Sequence, residues 1–425
     1  MTAEQIAALG PALSSFVGTF VSCFRNRRTR VHLAAYCRGL LSDLPRKSVE
    51  PIALQCGAAV RTLQEFLTHH AWDHARMRDQ LQRRVVRRHL PAPDEKRRDP
   101  LGVIGLIDET STPKKGDKTP GVQRQYCGAV GKVENCIVTV HLACLYKNFK
   151  TLVDSDLFLP KKTWHADRRR CRRAHIPDDV VYRPKSEIAL DQYRRAVANG
   201  MRFDWLTFDE WYGAKPAFLA ELERAGQHYV AEVPKNTLCW ATLPKYRSMQ
   251  SPFAAKRVDN VARHSRIFRR EPWRTLNLKR KTLAPQQWVV RAAQVHLARH
   301  GQPLERTHWL ICARSVKTAE VKYFVSNAPP RTSLETLMKV AFTRYNVEHV
   351  FRVAKSEIGF SHFEGRSYKG LMRHMILCQL VMTFIAEETE RVRGEKSGDH
   401  PGAGCAGIEC RVRRLAPPPI PTLVH

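Results

Sequence analysis

The sequence predicts an α/β protein of two or three domains: a mixed sheet flanked by helices, an all-helical segment ahead of it and a β-containing insertion late within it. Three observations carry this. The chain has 425 residues, more than one hydrophobic core usually serves. From residue 100 to 235, short apolar runs alternate with stretches at helical spacing, in the order strand, strand, strand, helix, strand, helix, strand. Residues 1–92 instead hold few β-branched runs and many Leu, Ala, Arg and Gln, which suits helices throughout.

In chain order, LGPALSSFVGTFVSCF lacks a positive leader and reads as a core helix, not a signal peptide. SVEPIALQCGAAVRTLQEFLTHH gives a helix, a break at Cys56-Gly57 and a second helix carrying Arg61, Gln64 and His69. That is the shape of a helix-turn-helix, whose second helix could enter a DNA groove. The basic runs RNRRTR and RRVVRR share this segment, and PAPDEKRRDP then reads as a linker. LGVIGLID, NCIVTVHLACLY and TLVDSDLFLP are buried-strand runs, with the Gly-rich PKKGDKTPGVQRQYCGAVGKVEN between the first two as a loop or irregular hairpin. KSEIALDQYRRAVANG is a helix, FDWLTFD a strand, GAKPAFLAELERAG a helix and HYVAEVP a strand. Residues 236–321 form the insertion, with ten Lys/Arg against two acids between Phe253 and Lys281 and strand-like QWVVRAAQVHL and THWLICARS. The core resumes over 322–390 with VKYFVSNAP and helices, and 391–425 reads as a flexible tail.

Charge bounds the partner. There are 71 Lys+Arg against 40 Asp+Glu, a net charge of +31 and a pI near 10.1. Such an excess on a folded chain points to a polyanion, most often nucleic acid, because each neutralised phosphate releases counterions. No lipidation motif or basic tail beside an apolar anchor argues for a membrane surface, and MILCQLVMTFIA is too short to span a bilayer. The twelve Cys are scattered without zinc spacing, which suits reduced thiols in a cytoplasmic protein.

Three acids stand out. Asp108 and Asp209 each close a core strand, where α/β proteins assemble their sites, and Glu348 lies on a late helix, RYNVEHVFRVAKSEI. With Arg344 at zero on a helical wheel, Lys355 falls near ~20°, Glu348 near ~40° and Arg352 near ~80°, beside an apolar stripe of Val347, Val350, Phe351, Ala354 and Ile358. The bland reading is a solvated Arg344–Glu348 pair on an amphipathic helix. The functional reading is that converging carboxylates hold two Mg2+ or Mn2+ ions for phosphodiester chemistry, while Arg344 and Lys355 hold phosphates. Glu109, Glu210 and Glu357 are competing acids, each placed by the local period on a face away from the set.

These features resemble the DDE transposases related to IS4, most closely the IS701 family. The Arg-three-Glu-six-Lys signature is met by Arg344, Glu348 and Lys355, whereas its Tyr position holds Ala341. LIDET, GVQRQYCGAVGKVENC, WHADRRR…AHIPDDV, FDEWYG, YVAEVPKN and IGFSHFEGRSYKG resemble the same family, in order, over residues 20–390. Glu210 in FDEWYG departs from the small residue common there. The resemblance implies an RNase H-like core split into 100–235 and 322–390, an N-terminal DNA-binding domain over 1–92, and an insertion whose aromatic residue stacks on a flipped base. It implies catalytic and metal-binding roles for Asp108, Asp209 and Glu348. The expected DNA contacts are Arg344, Lys355, Arg352, Arg366, Arg124, Lys132, Trp273, Arg61 and Gln64, and the basic KKTWHADRRRCRR is read as backbone contact rather than as a merely solvated loop. The activity implied is cut-and-paste transposition: a homodimer binds double-stranded terminal inverted repeats, cleaves there and joins the ends to target DNA. The alternatives are an endonuclease that never joins, and a domesticated DNA-binding protein with an inactive core.

Overall fold

The computed structural model describes residues 5, 7–92, 99–244, 254–280 and 283–396. Most of the expected tail, CAGIEC and the middle of the PAPDEKRRDP linker therefore lie outside the described residues. The chain divides into two compact units: Met1–Glu95, Glu109–Met201 and Glu348–His425 make the first, Lys96–Asp108 and Arg202–Val347 the second. No disulfide occurs among the described residues.

The first unit opens with helices Leu9–Gly18, Arg27–Leu41, Val49–Gln55, Val60–Thr68 and His74–His89. Two of their starts are capped by side chains: Asn26 accepts from Arg28 N, and Asp73 accepts from Ala75 N and Arg76 N, so orphan amides find partners. The expected helix-turn-helix pair is Val49–Gln55 and Val60–Thr68, turned by Gly57 at φ 65°, a left-handed conformation that a side chain would strain. Leu63, Phe66 and Leu67 face inward, leaving Arg61 and Gln64 exposed.

Three of these helices, Arg27–Leu41, Val60–Thr68 and His74–His89, pack on the long final helix, Tyr368–Lys396, which also covers a strand of the same unit. MILCQLVMTFIA sits inside it. The helix is long and apolar enough to cross a membrane by length and composition, but 83% of its apolar window is buried within the protein. It is a core helix. Arg373 on it is only 1% exposed and donates Nη1 to the Phe66 (3.2 Å) and Leu67 (3.1 Å) carbonyls and Nη2 to those of His70 (2.7 Å) and Trp72. A buried guanidinium thus closes the C-terminal end of the second helix of the pair. Burial lowers its pKa to about 10.

The strands of this unit are β2 (Gln123–Cys127), β3 (Lys132–Tyr146) and β4 (Phe149–Leu157), joined as two antiparallel hairpins, with the later residues of β1 (Ile104–Pro113) beside β3. β2 lies in the stretch expected as a loop or irregular hairpin. Its residues QRQYC alternate between exposed and partly covered, so too little of it is apolar to show a strand period. The helix Lys185–Ala198 packs on β3 and β4, and Gln192 Nε2 donates to the Val140 carbonyl at 2.8 Å.

The second unit is a mixed sheet. Its strands are β5 (Trp205–Phe208), β6 (Tyr229–Val233), β7 (Leu238–Trp240), β8 (Lys256–Arg257), β9 (Arg274–Arg280), β10 (Leu283–Arg299), β11 (Gln302–Pro303), β12 (His308–Ser315) and β13 (Val321–Ser326). The neighbour order is β1-β5-β6-β13-β12-β10; β1, β5 and β6 run parallel, the rest antiparallel. The main strands of the expected insertion, β10 and β12, therefore extend the ladder from β13. Glu223, on the helix Pro216–Arg224, ties this extension to the parallel strands by accepting from Tyr229 Oη (2.8 Å) and Arg299 Nη2 (3.0 Å) and meeting His308 Nε2 at 2.9 Å. Burial alone would raise its pKa, but these contacts outweigh it and hold the carboxyl down at about 2.

Arg373→Ala orphans up to four buried carbonyls, and urea unfolding should show a loss of at least about 3 kcal/mol; an unmoved midpoint would contradict the anchoring role. Glu223 has a depressed folded-state pKa, so its contribution is complete above the unfolded value near ~4.3 and is lost as pH falls through about 2. The stability advantage of wild type over Glu223→Gln should accordingly shrink across that window and hold steady at neutral pH.

Candidate functional site

Strand register places the acids. β1 pairs with β5 with Leu106 opposite Thr207, and β5 pairs with β6 with Thr207 opposite Val230. Two residues further along these strands come Asp108, Asp209 and Glu232. In-register neighbours on parallel strands share a face, so Asp108, Asp209 and Glu232 hold corresponding positions in a row across adjacent strands. Asp108 was expected to end its strand; instead β1 runs on to Pro113, and Asp108 marks where the chain passes from one unit to the other.

Asp209 stands where expected, immediately after β5. Its Oδ1 accepts from Trp211 N at 3.0 Å and Tyr212 N at 3.3 Å, capping the short helix Glu210–Gly213. That cap fixes the carboxylate's orientation with one oxygen. Gly213 completes the motif by close approach: a Cβ there would stand 1.9 Å from the Glu232 carbonyl oxygen, so only glycine lets this turn lie on β6. Glu210 is exposed.

The row is balanced by two cations. The helix Leu334–Thr343 packs on β5 and β6, and Arg344 at its C-terminal end reaches Asp108 Oδ2 at 3.7 Å and Glu232 Oε2 at 3.8 Å. The side chains of Arg344, Asp108 and Glu232 are 15%, 16% and 13% exposed, so the pairs are largely shielded from water. Lys322 on β13 donates to Glu232 at 2.6 Å. Burial would lower the Lys322 pKa, but Glu232 holds it above its usual value. Sequence reasoning missed Glu232 and Lys322. A lone acid inside the apolar run HYVAEVP was the available signal.

The Arg344–Glu348 pair is not formed, because Arg344 spends its charge on Asp108 and Glu232 within its own unit. Glu348 is exposed on the helix Tyr345–Arg352, and it is grouped with the first unit. All five residues of the expected apolar stripe are buried. After Arg352 the backbone widens into a π-helical turn, Val353–Glu357, which takes Lys355 out of the 3.6-residue register assumed for it. Lys355 is half-buried, and its charge adds to the burial that pushes His141 down to about 3.

The competing acids are placed too. Glu109 pairs with Lys185, and Glu357 is half-buried on the π turn. Two aspartates offering oxygen ligands suit a hard divalent cation. Among the described residues, no three His, Cys, Asp or Glu side chains gather closely enough to hold a metal ion unaided.

The expected DNA-contacting residues fall into distinct places. Arg124 and Lys132 are exposed on the β2–β3 hairpin, with Lys132 at 3.7 Å from Glu134. Arg352 and Arg366 are exposed, and Arg61 pairs with Glu65 at 2.9 Å. Of the insertion tryptophans, Trp288 is buried and Trp240 and Trp309 are half-buried, whereas Trp273 is 41% exposed with Arg291 at 4.4 Å and Arg314 at 5.7 Å from its ring centroid. Within KKTWHADRRRCRR, Arg168 and Arg170 turn inward onto backbone carbonyls, leaving Lys161, Lys162, Arg169, Arg172 and Arg173 exposed.

Residues 19–294 match the DDE superfamily endonuclease family. A probable transposase for insertion sequence element IS701 from Microchaete diplosiphon is 29% identical over 200 residues, covering 47% of this chain and 47% of that protein. The match thus spans about half the length of that relative. Among solved structures, a piggyBac transposase synaptic complex with hairpin DNA covers 98% of this chain and 77% of that chain, with a TM-score of 0.48 and 10% identity.

Glu232→Gln leaves two largely buried cations short of a counter-charge and should cost about 3 kcal/mol in urea unfolding. Adding Lys322→Met should recover part of that loss; strictly additive losses would show that the two side chains are not coupled.

Proposed function

Because the chain belongs to the DDE superfamily of endonucleases, we propose that it is the transposase of a bacterial insertion sequence, with Asp108, Asp209 and Glu348 as its catalytic acids. In this reading β1, β5 and β6 belong to an RNase H-like core, and the protein binds terminal inverted repeats as a dimer, frees the ends and joins them to target DNA. The observation that carries it is the in-register pair Asp108 and Asp209, one oriented by its helix cap and the other facing Arg344.

Asp108 and Asp209, joined by Glu348, would hold divalent ions. Mg2+ or Mn2+ held there would supply activation of a water or 3′-hydroxyl and stabilisation of the leaving oxygen. The chain's own residues do the remaining work. The backbone amides of Trp211 and Tyr212 keep Asp209 from rotating, so its second oxygen keeps one direction. Arg344 offsets the repulsion within the acid row and leaves a fixed cation beside the place where phosphoryl charge would grow. Arg352 and Arg366 are exposed, and in this reading they would meet backbone phosphates. Arg61 and Gln64 project from the second helix of the N-terminal pair, and their side chains suit guanine and adenine edges in a major groove. Trp273 offers an exposed π-face, already beside two guanidinium groups, on which an unpaired base can stack.

The test is a joining assay with precut repeat ends, a target plasmid and Mg2+. Wild type should produce joined products, and Asp108→Asn should lower the rate by more than about 100-fold, the loss that even an outer-shell partner of a metal ligand can cause. Nicking without joining would make the protein a nuclease, and equal activity in Asp108→Asn would remove the acid from the mechanism.

A further inference from the structure

The helix His74–His89 carries six arginines and one acid, Asp79, which is held by Arg78 at 2.8 Å. Two of the six are built into the fold: Arg78 also faces the buried Asp154 at 4.0 Å, and Arg84 forms a two-pronged pair with Glu387, both bonds at 2.7 Å. The remaining four, Arg76, Arg83, Arg87 and Arg88, are exposed, and among the described residues none has an acidic side chain at ion-pair distance; Arg83 also donates Nη1 to Asn199 Oδ1 at 2.9 Å. At about 100° per residue, Arg76, Gln80, Arg83 and Arg87 fall within roughly 60° of one another. They make one stripe. By the rise of about 1.5 Å per residue, its arginines stand about 10 and 6 Å apart along the axis.

Two clefts open along this stripe. One of about 490 Å³ is lined by Thr19, Gln80, Arg84, Arg87 and Arg88, and the other, of about 260 Å³, by Ser22, Arg76, Gln80, Arg83 and Arg87. They share Gln80 and Arg87, so together they form a trough walled by guanidinium groups. Gln80 itself is fixed as its floor, bonded to Ser22, Cys23 and the Thr19 carbonyl.

Helix electrostatics do not explain the arrangement. Bases in the last turn offset the helix dipole, which suits Arg87 and Arg88, but Arg76 lies in the first turn, where a positive charge is unfavourable. Like charges lined up along one helix face repel, and a row of anions arriving from outside would reverse that cost.

We propose that this trough is a binding site for the phosphate backbone of duplex DNA, read without regard to base sequence and separate from the exposed Arg61 and Gln64 of the helix pair. The choice of DNA over other polyanions rests on the proposed transposase function. Regularly spaced guanidinium groups with no base-reading partner suit backbone positioning, and Arg can grip each phosphate with two parallel hydrogen bonds.

The experiment measures binding of the full chain to a random-sequence duplex by fluorescence anisotropy across a salt series, with no divalent ion present. Replacing Arg76, Arg83 and Arg87 together by Gln should reduce the slope of log K against log salt by about 2.7, or about 0.9 for each lost phosphate contact. The same three positions changed to Lys should keep most of the slope, which separates lost charge from lost fold. An unchanged slope in the Gln variant overturns the proposal, as does a loss confined to one DNA sequence or a stripe-dependent preference for an RNA duplex. The measurement needs no cleavage or joining: a chain that joins ends with its slope intact refutes this site alone, and a chain whose slope falls but never joins refutes only the transposase reading.

Discussion

The charge balance around Arg344 is the constraint from which the second unit's arrangement follows. Parallel pairing of β1, β5 and β6 puts Asp108, Asp209 and Glu232 on one row, with neighbouring strands only about 4.8 Å apart. Carboxylates on one row repel, and cations placed beside them offset that repulsion. Arg344 bridges the outer two and Lys322 holds Glu232 from the far side. One cation stands at the end of the helix Leu334–Thr343 and the other on β13, which pairs with β6. Gly213 then matters at one remove, because it lets the Asp209 turn settle on the backbone of the strand that carries Glu232.

The first unit solves a different problem, that of folding a chain with so many positive charges. Many of its bases are structural: Arg373 caps a helix end, Arg168 and Arg170 bind carbonyls, and Arg183 and Arg195 hold the nearly buried Asp156 and Asp154. The bases left over are not scattered evenly. Clusters of them lie at Arg25, Arg27 and Arg28, on the trough of His74–His89 and on the 161–173 segment, with others on the β2–β3 hairpin and at Arg352 and Arg366. A formal charge of +31 thus overstates the free positive surface and understates how sharply it is localised.

Much of this was legible in the order of residues. The apolar runs became β1, β3, β4, β5, β6, β10, β12 and β13 because strands with covered faces need little else to declare themselves. The break at Cys56-Gly57 and the stripe of Val347, Val350, Phe351, Ala354 and Ile358 were equally readable, since glycine tolerance and helical period act over a few residues. β2 was not, because an edge-like polar strand carries no apolar period. The π turn at Val353–Glu357 was not, because nothing in a side-chain pattern announces one wider turn.

Composition and spacing were enough to mark Asp108 and Asp209 as candidates and to raise the expectation of a phosphate-bearing partner, since these readings depend on neighbours close along the chain. Which acid Arg344 faces was not decided there. Glu348 is four residues away and Glu232 more than a hundred, and the helical wheel favours the nearer. Folding chose the farther pair, because strand register delivered Glu232 and Asp108 to a shielded pocket beside Arg344, while Glu348 stayed in solvent, where an ion pair gains little.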